Sequence, residues 1–231
     1  MSASNYEIVN LTGTGLSTEE CRNAATWMAK AFAMAPATPA LTIFFGAAPY
    51  EDNVKMHEKF WSSHLNRVAM SGILIGAKED GIWRGFRAFF EPGKSRMPYI
   101  TDFRVDDNED WDMFLELAGE EQYMNRIRRW GEVTSETNAE ISVTPSECYT
   151  TSIIVVDPEH QRKGLGHALD EHTRKISREA GRSLFVRIHE YILPFYVAQG
   201  YQLLATETYS LLGSAPFKVH FLIYGGLDKS N

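Results

Sequence analysis

The stretch VVDPEHQRKGLGHAL, residues 155–169, contains residue types that can bind an anion. It runs from a β-branched segment through charged residues and two glycines into a pattern typical of a helix. Glycine lets backbone approach a ligand closely, and a helix N-terminus offers free amide donors. An ordinary strand-to-helix turn, which needs glycine for its geometry, explains the same residues. From these residues alone both interpretations stay open.

Spacing excludes two kinds of nucleotide loop. A P-loop needs G-x-x-x-x-G-K-[ST], and a dinucleotide loop needs G-x-G-x-x-G, whereas residues 164–169 read GLGHAL and lack the final glycine. The pattern that is present, Q-x-x-G-x-G, can turn the amides of residues 162–167 toward one point. Arg162 and Lys163 can add positive charge to a diphosphate there.

A second motif lies downstream, and together the two resemble the acetyl-CoA-binding region of the GNAT N-acetyltransferase superfamily. The first is Gln161 to Gly166, preceded by IIVVDPEH and followed by an amphipathic helix and a strand. The second is ILPFYVAQGYQLLAT, in which a tyrosine comes four residues before a glycine-aromatic pair. These motifs cover residues 148 to about 206, and PFYVAQGY is similar in particular to arylalkylamine N-acetyltransferases.

The resemblance implies an α/β fold with a GNAT-like mixed, mostly antiparallel sheet flanked by helices. In it the strands 148–156 and 184–188 of a βαβ unit run parallel and splay apart around acetyl-CoA. The pantetheine would pair with backbone near Ile154 and Val156, and the pyrophosphate would lie on the amides that open the helix. The implied cofactor-binding residues are Ile154, Val155, Val156, Gln161, Arg162, Lys163, Gly164, Leu165, Gly166, His167 and His189.

Acetyl transfer to an amine needs a neutral nucleophile, a stabilised carbonyl oxygen and a proton for the departing thiolate. The resemblance places Tyr196 beside the cofactor sulfur, so its hydroxyl is the candidate general acid. The alternative is a tyrosine packed on the core with its hydroxyl at the surface. A backbone amide near Ile154 is the candidate donor to the carbonyl oxygen.

The general base is not assigned by the sequence. Arylalkylamine enzymes carry a pair of histidines on the strand before the loop, and Thr150 and Ser152 stand at the matching positions here. This departure argues against an indole-amine substrate. Glu147, Glu190, His189 and water are the remaining alternatives.

The motifs therefore predict an acetyl-CoA-dependent N-acetyltransferase that acts on the primary amine of a small molecule by direct transfer in a ternary complex. The alternatives are transfer to a protein or polyamine amine, and a catalytically degenerate domain that binds CoA without turnover. We expect a monomer or a homodimer.

Composition restricts the partners and the setting. The chain has 231 residues, of which 44% are hydrophobic, so we expect a single domain over residues 1–231. The net charge of −7 argues against nucleic acid or an anionic membrane as the main partner. Cys21 and Cys148 show no metal-site or disulfide spacing, and no signal peptide or membrane-spanning run is recognisable, so a cytoplasmic protein is expected.

The elements before the loop follow from caps and periodicity. Ser17 and Glu20 form a capping box that opens a helix ending by Pro36, and residues 36–51 read as a loop with apolar anchors. A second helix is expected from Glu51 to Met70, ended by Gly72, and a hairpin with an Asp-Gly turn follows.

The middle of the chain, residues 92–145, is the possible insertion. A helix is predicted to begin near Asp110, and the acidic cluster 106–112 is interpreted as its solvated start rather than a cation site. After it the pattern predicts a strand at 148–156, a helix at 166–180 closed by Gly181, a strand at 184–188, one helical turn ending at Gly200, and two strands around the turn 213–216.

Two further groups were weighed against ordinary structural roles. His57 and His64, seven residues apart, share a helix face but lack a third ligand, so no metal site is expected. Six aromatic side chains could line an acceptor pocket, although most are expected in the core: Phe44, Phe45, Tyr50, Phe89, Phe90 and Tyr209.

Overall fold

A computed structural model describes residues 6–34, 39–46, 50–94, 109–141, 143, 146–210 and 216–225. Its centre is a seven-stranded sheet in the order β1-β2-β3-β4-β5-β7-β6. The strands are β1 (Glu7–Asn10), β2 (Ile73–Glu79), β3 (Ile82–Phe90), β4 (Cys148–Val156), β5 (Ser183–His189), β6 (Gln202–Tyr209) and β7 (Phe217–Tyr224). Only β4 and β5 run parallel among these neighbours, which confirms the predicted mixed, mostly antiparallel sheet.

Helices flank both faces of this sheet. They are α1 (Thr18–Met34), α2 (Pro39–Phe45), α3 (Val54–Ser71), α4 (Glu109–Ala118), α5 (Glu120–Glu140), α6 (Leu165–Glu179) and α7 (Leu193–Ala198). Helices α1 and α3 to α5 supply apolar residues to one core, and α6 and α7 to the other. The sheet therefore separates two hydrophobic cores, one on each of its faces.

Local signals account for most of the element boundaries. The capping box at the start of α1 is confirmed, since the Glu20 amide donates to Ser17 Oγ at 3.2 Å and the Ser17 amide donates to Glu20 Oε2 at 3.0 Å. The Asp-Gly hairpin turn is confirmed as well, with φ of 52° at Asp80 and 78° at Gly81. Pro36 and the predicted turn residues 213–215 lie outside the described residues.

Gly72 ends α3 as predicted, though for a steric reason. Its backbone is extended, with φ of −139°, so the left-handed conformation is not what it supplies. A Cβ at this position would lie 2.7 Å from Phe90 Cε1 and 2.9 Å from the Phe89 carbonyl oxygen. Glycine thus lets the helix end against β3.

The prediction of a loop over 36–51 is partly wrong, because Pro39–Phe45 forms α2. Proline is favourable at the first helical position, where no intrahelical donor is needed. Burial of Ile43 and Phe45 in the core then stabilises this short helix, which its length alone would leave marginal.

The prediction that the acidic cluster is solvated is wrong for Asp110, while residues 106–108 lie outside the described part. Asp110 is 2% exposed and accepts hydrogen bonds from Arg22, Lys59 and Ser62. Burial raises the pKa of this carboxyl, but the donors outweigh it and hold the pKa at about 2. The start of α4 is thereby fixed to α1 and α3.

The aromatic and cysteine side chains lie mostly inside. Phe45, Phe89, Phe90 and Tyr209 are buried in the core, while Phe44 and Tyr50 are half-buried. Both cysteines are buried free thiols. Among the described residues, no helix is long and apolar enough to cross a membrane, and no group of three or more potential ligands could hold a metal ion.

Candidate active site

A gap opens in the sheet between β4 and β5. Their parallel pairing covers only Cys148 with Ser183, Tyr149 with Leu184, and Thr150 with Phe185. Beyond these pairs β4 continues along β3, and β5 continues along β7. The facing edges of the two strands are thus free of ladder hydrogen bonds to each other, and backbone groups near Ile154 and Val156 line the gap.

The register of β4 shifts within the gap. Ala88 pairs with Ile153, whereas its neighbour Phe89 pairs with Thr151, so β4 carries a bulge there. A bulge redirects the backbone and the following side chains. After it, Ile154 and Val156 pack toward α6, and Val155 packs into the opposite core.

The loop after β4 is anchored to the β2–β3 hairpin. The Asp157 amide donates to the Arg84 carbonyl at 2.8 Å, and its carboxylate lies 2.9 Å from Arg84 Nη1. His160 Nε2 lies 2.9 Å from Glu79 Oε2. The Gln161 side chain donates to the Val156 carbonyl at 3.2 Å, and this hydrogen bond stabilises the conformation of the loop.

The residues after Gln161 form an open backbone concavity at the start of α6. Arg162 and Gly164 have φ of 59° and 90°, a left-handed conformation that is costly for arginine. Arg162, Lys163 and His167 are exposed. The first backbone bond of α6 runs from the Ala168 amide to the Gly164 carbonyl, so the preceding amides have no intrahelical partner.

This concavity fits a diphosphate. Its amides and helix dipole favour negative charge, and α6 has no acidic residue in its first turn. A Cβ at Gly166 would meet Phe195 and Val156 only at 3.7 and 3.8 Å, so nothing in the described packing demands glycine there. A glycine at this position leaves the backbone without a side chain, which would allow a ligand to approach it closely.

Tyr196 lies on the α6 side of the sheet and is 2% exposed. Its hydroxyl accepts a hydrogen bond from Arg87 Nη1 at 2.8 Å. The hydroxyl is therefore not at the surface, as the alternative interpretation expected, but inside a buried polar network. Burial raises the pKa of Tyr196, and the neighbouring Arg87 cation opposes this, leaving the pKa above its ordinary value.

The sequence did not reveal the partners of Tyr196 in this network. Arg87 Nη2 lies 3.3 Å from Asp170 Oδ1, and the same oxygen accepts from the Tyr201 hydroxyl at 3.0 Å. Arg174 Nε donates to Asp170 Oδ2 at 3.0 Å. One feature of the sequence could have indicated this network, namely the charged Arg87 within the otherwise apolar strand segment GFRAFF.

His189 ends β5 and packs on the other face of the sheet. Its ring centroid lies 6.1 Å from that of Phe217 and 6.5 Å from that of Tyr191. Burial lowers the pKa of His189 to about 4, with a further contribution from His220, so the ring is neutral at pH 7. It can accept a hydrogen bond, but such a low pKa makes it a weak base.

The carboxylates considered as bases are poorly placed. Glu147 precedes the first residue of β4, at the paired end of the strand, roughly 20 Å along the strand from Ile154. Glu190 is exposed and lies 3.4 Å from Lys218 Nζ. Glu147 therefore lies away from the open end of the gap, whereas Glu190, which directly follows β5 at that end, is paired with Lys218.

Helix α5 covers the strand ends beside His189. Trp130 lies 5.6 Å from Tyr209 and 6.5 Å from Phe217 between ring centroids. The hydroxyls of Thr137 and Tyr209 are 2.6 Å apart. This part of residues 92–145 thus adds an aromatic wall next to the open end of β5.

Comparisons with known proteins bear on the fold. Neither the models of protein families nor the curated proteins give a match to this sequence. Among solved structures, a polyamine N-acetyltransferase of Drosophila melanogaster, which catalyses the formation of N-acetylagmatine, is 18% identical with a TM-score of 0.51, over 94% of this chain and 99% of that one. A mosquito arylalkylamine N-acetyltransferase like 5b is 14% identical with a TM-score of 0.50, over 94% and 99%.

A GNAT-family acetyltransferase from Streptococcus pneumoniae is also similar, with 11% identity and a TM-score of 0.50 over 94% of this chain and 98% of that one. In each case nearly the full length of the solved chain is matched. At these identities the similarity concerns the fold.

Proposed function

The chain has the GNAT acetyltransferase fold, and we propose that it transfers an acetyl group from acetyl-CoA to the primary amine of a small molecule. The observation that carries this proposal is the gap between β4 and β5, which leads to the left-handed, glycine-containing loop at the start of α6. Parallel strands that separate after three pairs expose backbone donors and acceptors suited to the amides of pantetheine. The loop that follows β4 supplies the anion site for the pyrophosphate.

Acetyl-CoA supplies an activated thioester in this proposal. The backbone at Ile154 and Val156 orients the pantetheine, and the amides of residues 162–167 hold the pyrophosphate, with Arg162 and Lys163 adding charge. An amide of β4 near Ile154 stabilises the negative charge that develops on the carbonyl oxygen.

Tyr196 is the proposed proton donor to the leaving thiolate. Its raised pKa keeps the hydroxyl protonated at neutral pH, as a general acid must be. Because His189 is a weak base, the amine proton passes to water, and we expect the amine to react in its neutral form.

A small amine is the favoured acceptor. The aromatic wall of Trp130, Tyr209 and Phe217 lies beside the open end of β5, where we expect the acceptor to bind, and aromatic surfaces suit the apolar part of a small amine. Two of the proteins with a similar fold are a polyamine and an arylalkylamine N-acetyltransferase by name. We further propose that residues 92–145 are an insertion that shapes this acceptor side.

Calorimetry with acetyl-CoA, followed by a thiol-release screen over aryl, polyamine, amino-acid and peptide amines, tests the proposal. We expect binding of acetyl-CoA and turnover with at least one small amine. Binding without turnover on any class would instead support a CoA-binding domain that lacks catalysis. Preference for peptides would support a protein acetyltransferase, and no binding would refute the family-based function altogether.

A further inference from the structure

Arg87 is a buried charge in the middle of the sheet. It is 1% exposed and lies on β3 opposite Ile154 of β4. Its guanidinium reaches Tyr196 of α7 and Asp170 of α6. The hydrogen bond to Tyr196 joins the β3–β4 side of the gap to the element that follows β5.

The chemistry of this bond fixes the roles of the two groups. A guanidinium has only donors, so the Tyr196 oxygen must be the acceptor at 2.8 Å. The proton of the tyrosine hydroxyl is then left for another acceptor. Among the described residues none receives it, because the nearby Asp170 Oδ1 takes its hydrogen bonds from Arg87 and Tyr201.

The surrounding network keeps a positive charge beside Tyr196. Asp170 is shared between Arg87 at 3.3 Å and Arg174 at 3.0 Å, and Arg174 is also paired with Glu171 at 2.6 Å, so Arg87 is the cation in direct contact with Tyr196. Arg174 is held in turn by the backbone and side-chain oxygens of Gln199, at 3.1 and 2.9 Å. Arg87 Nε is buried without a hydrogen-bond partner in the described part of the chain, so one of the guanidinium donors is unsatisfied.

We infer that Arg87 is a positioning residue for Tyr196, which directs the hydroxyl proton into the gap and stabilises the tyrosinate formed when that proton leaves. The inference rests on the proposed acetyl transfer. As the amine forms its bond to the carbonyl carbon, the carbon–sulfur bond breaks and sulfur takes the electron pair. The Tyr196 O–H bond then breaks, the proton forms S–H, and the negative charge moves to the phenolate oxygen beside Arg87. Water accepts the amine proton and returns one to Tyr196, so the cycle is balanced.

The effect of Arg87 on the Tyr196 pKa can be measured through the pH dependence of the reaction, provided that the groups facing Tyr196 are known. They are Arg87 from β3, Asp170 from α6, Tyr201 with its ring centroid 5.0 Å away, and Tyr191 before α7. Burial raises the pKa of Tyr201, and burial lowers the pKa of Arg87 less than Tyr196 and Asp170 raise it. Among the groups that face Tyr196, the Arg87 cation lowers the Tyr196 pKa, whereas Asp170 and Tyr191 raise it.

The test is the alkaline limb of the kcat profile, with acetyl-CoA and the best amine of the screen. In Arg87→Met we expect kcat to fall about 100-fold, within the range of general acid catalysis, and the limb to move to higher pH. The dissociation constant for acetyl-CoA should change less than about threefold, because the network lies apart from the diphosphate loop. In Tyr196→Phe the limb should disappear, and adding Arg87→Met should then cost little more.

Two variants separate this effect from loss of structure. Arg87→Lys keeps the charge and should restore the limb close to its wild-type pH with intermediate kcat, even if Arg87→Met folds poorly. Arg67→Met removes another buried arginine, 2% exposed and 4.2 Å from the Trp111 ring, and should lower stability without moving the limb.

The outcomes are distinct for the two proposals. If the wild-type protein turns over an amine but the Arg87 and Tyr196 effects are additive, or the limb stays in place in Arg87→Met, then Arg87 is merely structural. If the wild-type protein neither binds acetyl-CoA nor acetylates any amine, the proposed function fails first. A tyrosinate difference spectrum of wild type against Tyr196→Phe gives the Tyr196 titration independently of turnover, and an unchanged Tyr196 titration in Arg87→Met would also overturn the inference.

Discussion

Single residues in the loop set the backbone conformation at the start of α6, on which the proposed anion site depends. Gly164 has φ of 90°, and a Cβ there would meet nothing within 4 Å. Space is thus not the reason for glycine; backbone conformation is. A left-handed conformation costs an L-residue roughly 1–2 kcal/mol, so a substitution would tend to turn the adjoining amides away from their common point.

We predict that Gly164→Ala weakens acetyl-CoA binding by about tenfold or more while it lowers the free energy of unfolding by about 1 kcal/mol. The matched control is Gly181→Ala at the other end of α6, with φ of 60° and also nothing within 4 Å of the added Cβ. It should lose similar stability and keep its affinity. Calorimetry and urea unfolding measure both quantities, and an equal affinity in the two variants would favour the plain turn.

The residues of the site differ in how far the sequence could predict them. Gly164 and Tyr196 belong to short motifs, so their neighbours along the chain indicated them. Arg87 could not be assigned in this way, because its partners Asp170 and Tyr196 are 83 and 109 residues away. A network of this kind exists only once β3, α6 and α7 have packed together.

At the scale of elements, α4 shows how packing can override a local pattern. Acidic residues at a helix start are favourable in water, which predicted a solvated cluster. The structure instead buries Asp110 against α1 and α3, where four donor hydrogens from Arg22, Lys59 and Ser62 satisfy it. Its neighbour Glu109 stays exposed and lies 3.6 Å from Arg22.

We predict that Asp110→Asn lowers the free energy of unfolding by about 2–4 kcal/mol, since it removes the charge that compensates the Lys59 and Arg22 cations. Glu109→Gln, one residue earlier on the same helix, should change it by less than about 0.5 kcal/mol. Urea unfolding at neutral pH provides the comparison. Equal effects of the two substitutions would mean that Asp110 does not fix α4.

Helix α5 is the element that we expect to act on the acceptor. Trp130→Leu opens the wall beside Tyr209 and Phe217, so the KM for the amine should rise several-fold while acetyl-CoA affinity stays the same. Trp83→Leu is the control, because Trp83 packs on Phe86 and Lys78 near the β2–β3 turn. A raised amine KM in both variants, or in neither, would contradict the role of α5.

At the scale of the whole molecule, three residue pairs hold the two parts of the sheet together at the gap. Helix α6, which contacts both β4 and β5, and the Arg87 network also link the two parts. The strand and helix pattern of residues 148–224 predicted this arrangement well, since each element there has its own periodicity and punctuation. The helical covering by α2, α4 and α5 was predicted less well, because its burial depends on contacts between distant segments.

The apolar covering also determines how the molecule responds to acid. His57 on α3 is 4% exposed and stacks on Phe45 with ring centroids 3.6 Å apart. Burial lowers its pKa from 6.5 to about 4. Between these values the unfolded chain binds a proton that the folded chain does not, so stability falls as the pH falls through this window.

We therefore predict that wild type loses about 2 kcal/mol more stability than His57→Phe between pH 7 and pH 5, because phenylalanine keeps the stacking and cannot titrate. The comparison isolates His57, since His189, whose pKa is also about 4, is present in both proteins. Asp110 does not interfere either, because with a pKa of about 2 it loses its contribution only at pH values below 3.8. Urea unfolding at the two pH values measures the difference, and parallel losses in both proteins would show that His57 is able to take up a proton in the folded state.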